Sequence, residues 1–304
     1  MKFLERHPLI VAIIATLGCG SAAVIVRQSD APSAVTAAQR LLCAVILLSP
    51  YVWGKKSTRT EILSLPVKTI VFSAVSGVFL AVHFFTWFES LRFTSVASAT
   101  VLVATEVIFV AVGFRVILKG QLGIKAIIAI LITLAGSFVI ALSDSRSGGS
   151  SLRGDMFALV AAAAIAGNTL FGRVVRTGTS TTVYTYIAYA FCAITLCLIT
   201  LCSGLPFFAG GWKTTAVALA LAVVCTILGH SAYSWCLKYF SPAFVSATKL
   251  CQPIIACIEA IFLLGEFPVA LQIIGGVIVL AGVVYYSFIE MRKEKKKTGS
   301  VQEA

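Results

Sequence analysis

The stretch "WFESLRFTSVASAT" (87–100) returns in altered form as "WCLKYFSPAFVSAT" (235–248), at a constant separation of 148 residues. Trp87 falls opposite Trp235, and Ser98, Ala99 and Thr100 fall opposite Ser246, Ala247 and Thr248. Further matches carry the register outward. Arg27 lies opposite Arg176 and Cys43 opposite Cys192 at a separation of 149, and the tripeptide Leu-Ala-Gly ends at both Gly136 and Gly282, at 146. The shortening puts two extra residues into the first half; placed between Thr100 and Glu106, they set Glu106 opposite Gln252. The chain therefore reads as two copies of one unit, the first thing to settle before any local reading.

Composition says what the unit is made of. Of the 304 residues 59% are hydrophobic and 12% are charged, against about 25% charged in soluble domains. Ten apolar stretches can be marked, near 9–27, 34–53, 67–91, 94–118, 123–143, 154–175, 183–203, 214–238, 241–264 and 270–289. Each approaches the ~20 residues that a helix needs to cross the hydrocarbon. The expected fold is an all-α polytopic membrane protein with ten transmembrane helices. The first stretch follows Lys2 and Arg6 as a signal peptide would, but it is long and has no clear small-residue cleavage pattern, so it reads as a retained helix.

Each copy holds five spans, and an odd number makes the second copy enter the membrane from the opposite side. The halves are thus expected to be inverted repeats, 1–143 and 154–290, joined by a hydrophilic linker at 144–153 within "SDSRSGGSSLRGD" (143–155) and followed by a basic tail, 291–304. With both termini cytoplasmic, 17 Lys and Arg fall on the inner side: Lys2, Arg6, Lys55, Lys56, Arg59, Lys68, Arg115, Lys119, Lys125, Arg173, Arg176, Lys238, Arg292, Lys293, Lys295, Lys296 and Lys297. Only five, Arg27, Arg92, Arg146, Arg153 and Lys213, fall outside, the bias expected of cytoplasmic loops.

Several function classes drop out. The net charge of +12 is spread between apolar spans rather than gathered into a polar domain, which disfavours nucleic acid. The nine cysteines sit within spans without metal-ligand spacing, and no phosphate loop, metal-binding helix pair or nucleophile triad is present. Neither an enzyme nor a cofactor or metal is expected. The residues that do call for explanation are ionisable groups at membrane depth, where each costs about 2.5–3.5 kcal/mol on insertion scales.

Such residues concentrate in "FVSATKLCQPIIACIEAIFLLGE" (244–266). At 100° per residue Lys249, Gln252, Ala256 and Glu259 share an arc of about 80°, while Lys249 and Glu259 are separated by ~15 Å of helix and cannot neutralise each other. Pro253 leaves a carbonyl without its intrahelical donor and is expected to bend the helix. Lys249 is predicted to pair with Glu106, either as a lock on the bundle or as a gate opened by a substrate carboxylate or a proton. Glu106 itself reads equally as a proton or cation site. Glu259, nearer the outer end, leans toward a hydrogen-bonded structural role. His83 and Trp87, four apart, share a face that could wall a cavity or simply pack. Trp235 joins them by its match to Trp87. Asn168, amid small residues, suits an interhelical hydrogen bond first and a substrate contact second. Arg40 is expected to snorkel outward, and Glu266 to mark an outer helix end.

These residues resemble the drug/metabolite transporter superfamily, in its ten-helix EamA-domain branch. The resemblance rests on the doubled five-helix unit, on Arg40 in "AAQRLLCAVILL" (37–48), on "SLRFTSVASATVLV" (90–103) and on "QPIIACIEAIFLLGE" (252–266). It implies a substrate cavity between the halves, lined mainly by the first, third, fourth, sixth, eighth and ninth helices, and often export of amino acids or other small metabolites across a prokaryotic plasma membrane. The sequence thus points to a secondary transporter of a small polar or zwitterionic metabolite. Possible proton coupling is part of that expectation, because no ATP-binding motif is present. An obligate exchanger of anionic or phosphorylated metabolites and a non-transporting membrane scaffold or receptor stay open beside it.

Overall fold

The computed structural model describes residues 8–117, 123–146, 149–176, 178–236, 248–249 and 251–302. Among them every regular element is helical and no strand occurs. Lys2, Arg6, Lys119 and Lys238, counted toward orientation above, lie outside the described residues, as do Ser246 and Ala247 of the founding repeat. In chain order the helices are α1 (Pro8–Gly20), α2 (Ala22–Val26), α3 (Ser33–Gly54), α4 (Lys56–Leu63), α5 (Val67–Phe93), α6 (Val96–Ala104), α7 (Glu106–Ile117), α8 (Ile124–Arg146), α9 (Gly149–Val175), α10 (Thr181–Cys202) and α11 (Gly211–Ala220). A π-helical segment (Leu221–Ser231) runs on into α12 (Ala232–Cys236), and α13 (Gln252–Leu264) and α14 (Ala270–Gln302) close the chain.

In hydrocarbon each backbone N–H and C=O must find its partner internally, so apolar runs of this length fold as helices and change direction only where side chains or special backbone take over. Pro32 and Pro66 precede α3 and α5. The Ser95 and Ser180 hydroxyls cap α6 and α10, accepting from the backbone N–H of Ser98 and Val183 at 3.1 and 3.4 Å. Gly265, in the left-handed region at φ 68°, ends α13. Eight helical stretches among the described residues are long and apolar enough to cross a membrane, and two shorter apolar ones, Gln252–Leu264 and Ala270–Tyr286, follow. Phe138, Leu131, Ile46 and Phe262 are exposed on the bundle's outside, a surface suited to lipid and unsuited to water.

The packing scheme is regular. α5 packs on α9 and α10; α1 packs on the π-segment, and α3 packs on α10, α11 and the π-segment. α8 lies along α14, and there the backbones nearly touch. A Cβ added at Gly136 would stand 2.6 Å from Val279 N, and one at Gly282 2.9 Å from Thr133 N, so glycine is what permits the crossing. The two Leu-Ala-Gly tripeptides matched in the sequence therefore face each other's helices.

One expectation changes in detail. The flanks of the hydrophilic linker are helical, with α8 running to Arg146 and α9 starting at Gly149, and Asp144 and Asp155 are buried rather than solvated. Pro253 stands in the first turn of α13, directly after the turn residue Cys251.

Candidate functional site

In three of the apolar stretches the regular helix gives way at a single turn residue. The first breaks at Ser21, between α1 and α2; the fourth at Thr105, between α6 and α7; and the ninth just before Gln252. The last two breaks occupy matching positions of the sequence repeat, since Glu106 opens α7 as Gln252 opens α13. A carboxylate on the first residue of a helix is favoured by the positive end of its dipole.

Lys249 and Glu106 meet between these breaks. Lys249 Nζ lies 3.5 Å from Glu106 Oε1, with side chains 38% and 20% exposed. That separation is long for a charge-assisted hydrogen bond, which closes to about 2.7–2.9 Å, and the exposure leaves the pair reachable. The expected pair is therefore present, in a loose form. Lys249 Nζ also stands 5.8 Å above the ring of Tyr233. Around that ring runs a chain of hydrogen bonds in which each hydroxyl donates once: Gln252 Nε2 donates to Tyr233 Oη (3.1 Å), Tyr233 to Thr16 Oγ1 (2.8 Å), and Thr16 to the Ala12 carbonyl (2.8 Å). Tyr233 was invisible in the sequence because nothing in its spacing separates it from the other tyrosines of apolar spans. Trp235, partly buried, packs against the same cluster of Ala12, Ala15 and Tyr233. Higher on α13, Glu259 accepts from Ser21 Oγ at 2.7 Å, which ties it to the break in the first span.

The other candidates fall elsewhere. His83 and Trp87 do stack, with ring centroids 6.1 Å apart and an 11° interplanar angle, and both are buried. His83 Nδ1 lies 2.9 Å from the Ala161 carbonyl, and since a carbonyl only accepts, that nitrogen carries the proton. Asn168 forms the interhelical bond expected of it: Nδ2 donates to Ser76 O and Oγ at 3.0 and 2.9 Å, in a cluster completed by Tyr184.

Arg40 overturns its expectation. It does not snorkel to a boundary; it is fully buried. Its Nε donates to Thr226 Oγ1 at 3.0 Å, and its guanidinium carbon sits 4.2 Å from the Phe84 ring centroid and 5.9 Å from that of Phe88. Counting residues from a span's end gives depth but not direction, and the direction here is inward, onto the π-segment. A stacked, desolvated cation gains about 2 kcal/mol, less than the several kcal/mol that taking the ion out of water costs.

A second polar region closes the end of the bundle that carries Arg27. Arg27 Nη2 pairs with Glu266 Oε1 at 2.9 Å and donates to the Thr94 carbonyl at 2.9 Å, while Glu266 Oε2 accepts from Val96 N at 3.1 Å. Glu266 is thus a bridge to two other spans as well as a helix-end marker. Beside it Thr94 Oγ1 contacts both Asp144 (2.8 Å) and Asp155 (3.0 Å), and Gln272 Nε2 donates to Asp144 Oδ1 at 2.6 Å. A cavity of about 400 Å³ opens here, with Cys257 among its lining residues.

A lipid-facing helical bundle with interrupted helices and ionisable groups inside it defines a membrane transport protein. The chain belongs to the EamA-like transporter family, whose pattern it matches twice, over residues 7–142 and 152–288. It is similar to an uncharacterized transporter of Clostridium kluyveri, 25% identical over 271 residues that span 87% of this chain and 86% of the relative. It is also similar to an uncharacterized transporter of Archaeoglobus fulgidus, 28% identical over 254 residues, 80% and 84% of the two chains. A solved structure, described as a crystal structure of a protein, superposes with a TM-score of 0.63 at 15% identity, over 93% of this chain and 98% of its own; it speaks for the fold alone.

Proposed function

We propose that this transporter is a secondary carrier that exports a small polar or zwitterionic metabolite by alternating access, with ten spans arranged as two inverted five-helix repeats. The observation that carries the reading is the pair of helix breaks at equivalent repeat positions, before Glu106 and before Gln252, with the Lys249–Glu106 contact between them. Interrupted helices in corresponding halves are where carriers of this kind place their substrates. The packing supports the repeat. Exchanging each span for the one five further along turns the α5–α9 contact into that of the π-segment with α1, and the α5–α10 contact into that of the π-segment with α3. The α8–α14 crossing maps onto itself.

In this reading Lys249 and Glu106 form the gate and coupling element, with Gln252, Tyr233 and the break at Ser21 beside it. Substrate or a proton separates the pair, and Arg27 with Glu266 closes the outer end of the pathway. His83, Trp87 and Trp235 wall the route, Asn168 fastens its inner part, and both termini face the cytoplasm of a plasma membrane. Lys249→Met is expected to abolish flux of amino acids through proteoliposomes while leaving expression and folding intact. Wild-type flux in that variant refutes the gate. Uptake driven by a pH step supports proton coupling, whereas uptake that needs internal counter-substrate supports exchange.

A further inference from the structure

We infer that Arg40 is the anion-recognition residue of the transport pathway, so that the cargo carries a carboxylate or an equivalent oxyanion; the inference rests on the transport reading given above. Arg40 is fully buried, and one edge and one face of its guanidinium are already used, Nε by Thr226 Oγ1 and the face by Phe84. Both Nη groups, with four N–H donors between them, have no acceptor among the described residues. Trp87 Nε1 lacks an acceptor too. Trp87 shares the Phe84–Phe88 side of α5 and is one ring removed from the guanidinium, with its centroid 5.6 Å from that of Phe88. At Arg40 and Trp87 the deficit is of one kind, donors without acceptors.

Neighbouring carboxylates do not fill it. Glu106 is engaged by Lys249, and Glu259 by Ser21. A buried lysine or histidine can shed its proton, but a guanidinium cannot, so its charge persists wherever it is placed. An arginine serving only as a packing element is normally capped by backbone carbonyls; this one presents a free planar fork, the shape that receives a carboxylate through two parallel bonds. The anchor is itself unusual. Thr226 lies in the π-segment, where hydroxyls bond five residues back, Thr226 Oγ1 to Leu221 O at 3.2 Å and Ser231 Oγ to Thr226 O at 3.2 Å. π-Helical turns are rare and recur at functional sites. The guanidinium edge is sealed in this arrangement, and parting α3 from the π-segment, a motion alternating access provides, exposes it.

The test uses purified full-length protein, with thermal shift and proteoliposome flux measured for L-leucine, sodium benzoate and leucinamide at matched ionic strength. Leucine and benzoate carry a carboxylate; leucinamide keeps the amine and side chain without it. Wild type is expected to be stabilised by, and to carry, the two carboxylates and not the amide. Arg40→Met is expected to fold with unchanged or higher thermal stability and to lose the carboxylate response by about tenfold or more, as when one partner of a buried charge pair is removed. Arg40→Lys keeps the charge without the fork and should fall between. Equal response to leucinamide, no response to either carboxylate, or an intact carboxylate response in both variants overturns the inference while the transport reading stands, provided some probe crosses the membrane. If no probe crosses, the transport reading itself fails.

Discussion

The centre of the bundle and its Arg27 end differ in how tightly they pair their charges. At the Arg27 end the ion pair is close, 2.9 Å, and each partner holds a second bond to the backbone of another span. At the centre Lys249 and Glu106 stand 3.5 Å apart, partly exposed, and two donor groups of Arg40 find no acceptor among the described residues. The close, doubly anchored pair makes a latch even though Arg27 Nε and Asp155 Oδ2 find no partner among the described residues, whereas a loose pair in a low-dielectric interior is more easily parted. The two settings thus differ in how firmly a charge is held: the Arg27 end adjoins the cavity with its pair closed, and the centre holds its pair loosely.

The largest effect should come from inverting the central pair. Lys249→Glu alone sets two carboxylates a few ångströms apart and is expected to cost about 1–3 kcal/mol, a fully buried pair's loss reduced by partial exposure, together with all flux. Adding Glu106→Lys should restore much of the thermal stability. A double variant no more stable than the single one would mean that the two side chains do not interact. Next in size is the latch. Glu266→Gln removes the charge partner of Arg27 and should cost about 1 kcal/mol, with faster labelling of Cys257 by a thiol reagent, because that cysteine lines the adjoining cavity. Lys249→Met should leave Cys257 labelling unchanged, so equal labelling in the two variants would erase the contrast between the regions; Cys257→Ser supplies the background. The smallest effect is expected at Asp155. A threonine has one hydroxyl hydrogen, yet Thr94 Oγ1 touches carboxyl oxygens of both Asp144 and Asp155. Asp155→Asn supplies an N–H to that contact and should alter stability by no more than about 0.5 kcal/mol. A loss of several degrees in melting temperature would show that two full carboxyl groups are required there.

Much of this was legible in the residues. Long apolar runs announce membrane helices because hydrocarbon admits few alternatives, and a lysine and a glutamate in such runs announce each other because isolated charges there are costly. The repeat register even brought Glu106 opposite Gln252, the two residues that open helices after a break. Rotation and satisfaction were not legible. Arg40 reads as a boundary residue until its neighbours Thr226 and Phe84 are known, and both come from distant parts of the chain. Asp144 and Asp155 read as linker because Gly and Ser surround them, yet Thr94 and Gln272 draw Asp144 inward, and Thr94 meets Asp155 as well. Tyr233 needed Lys249, Gln252 and Thr16 brought together before it stood out.

The π-segment has one more implication. It carries Thr226, the anchor of Arg40, at its middle, and it leads directly into α12, which bears Tyr233 beneath Lys249. Rewinding this segment from π to α would turn everything after it about the helix axis, carrying the phenol out from under the ammonium. A tug on the arginine at this loosened coil would thus be felt as a torque on the lysine's cradle seven residues on, joining the two charged centres through a short stretch of backbone.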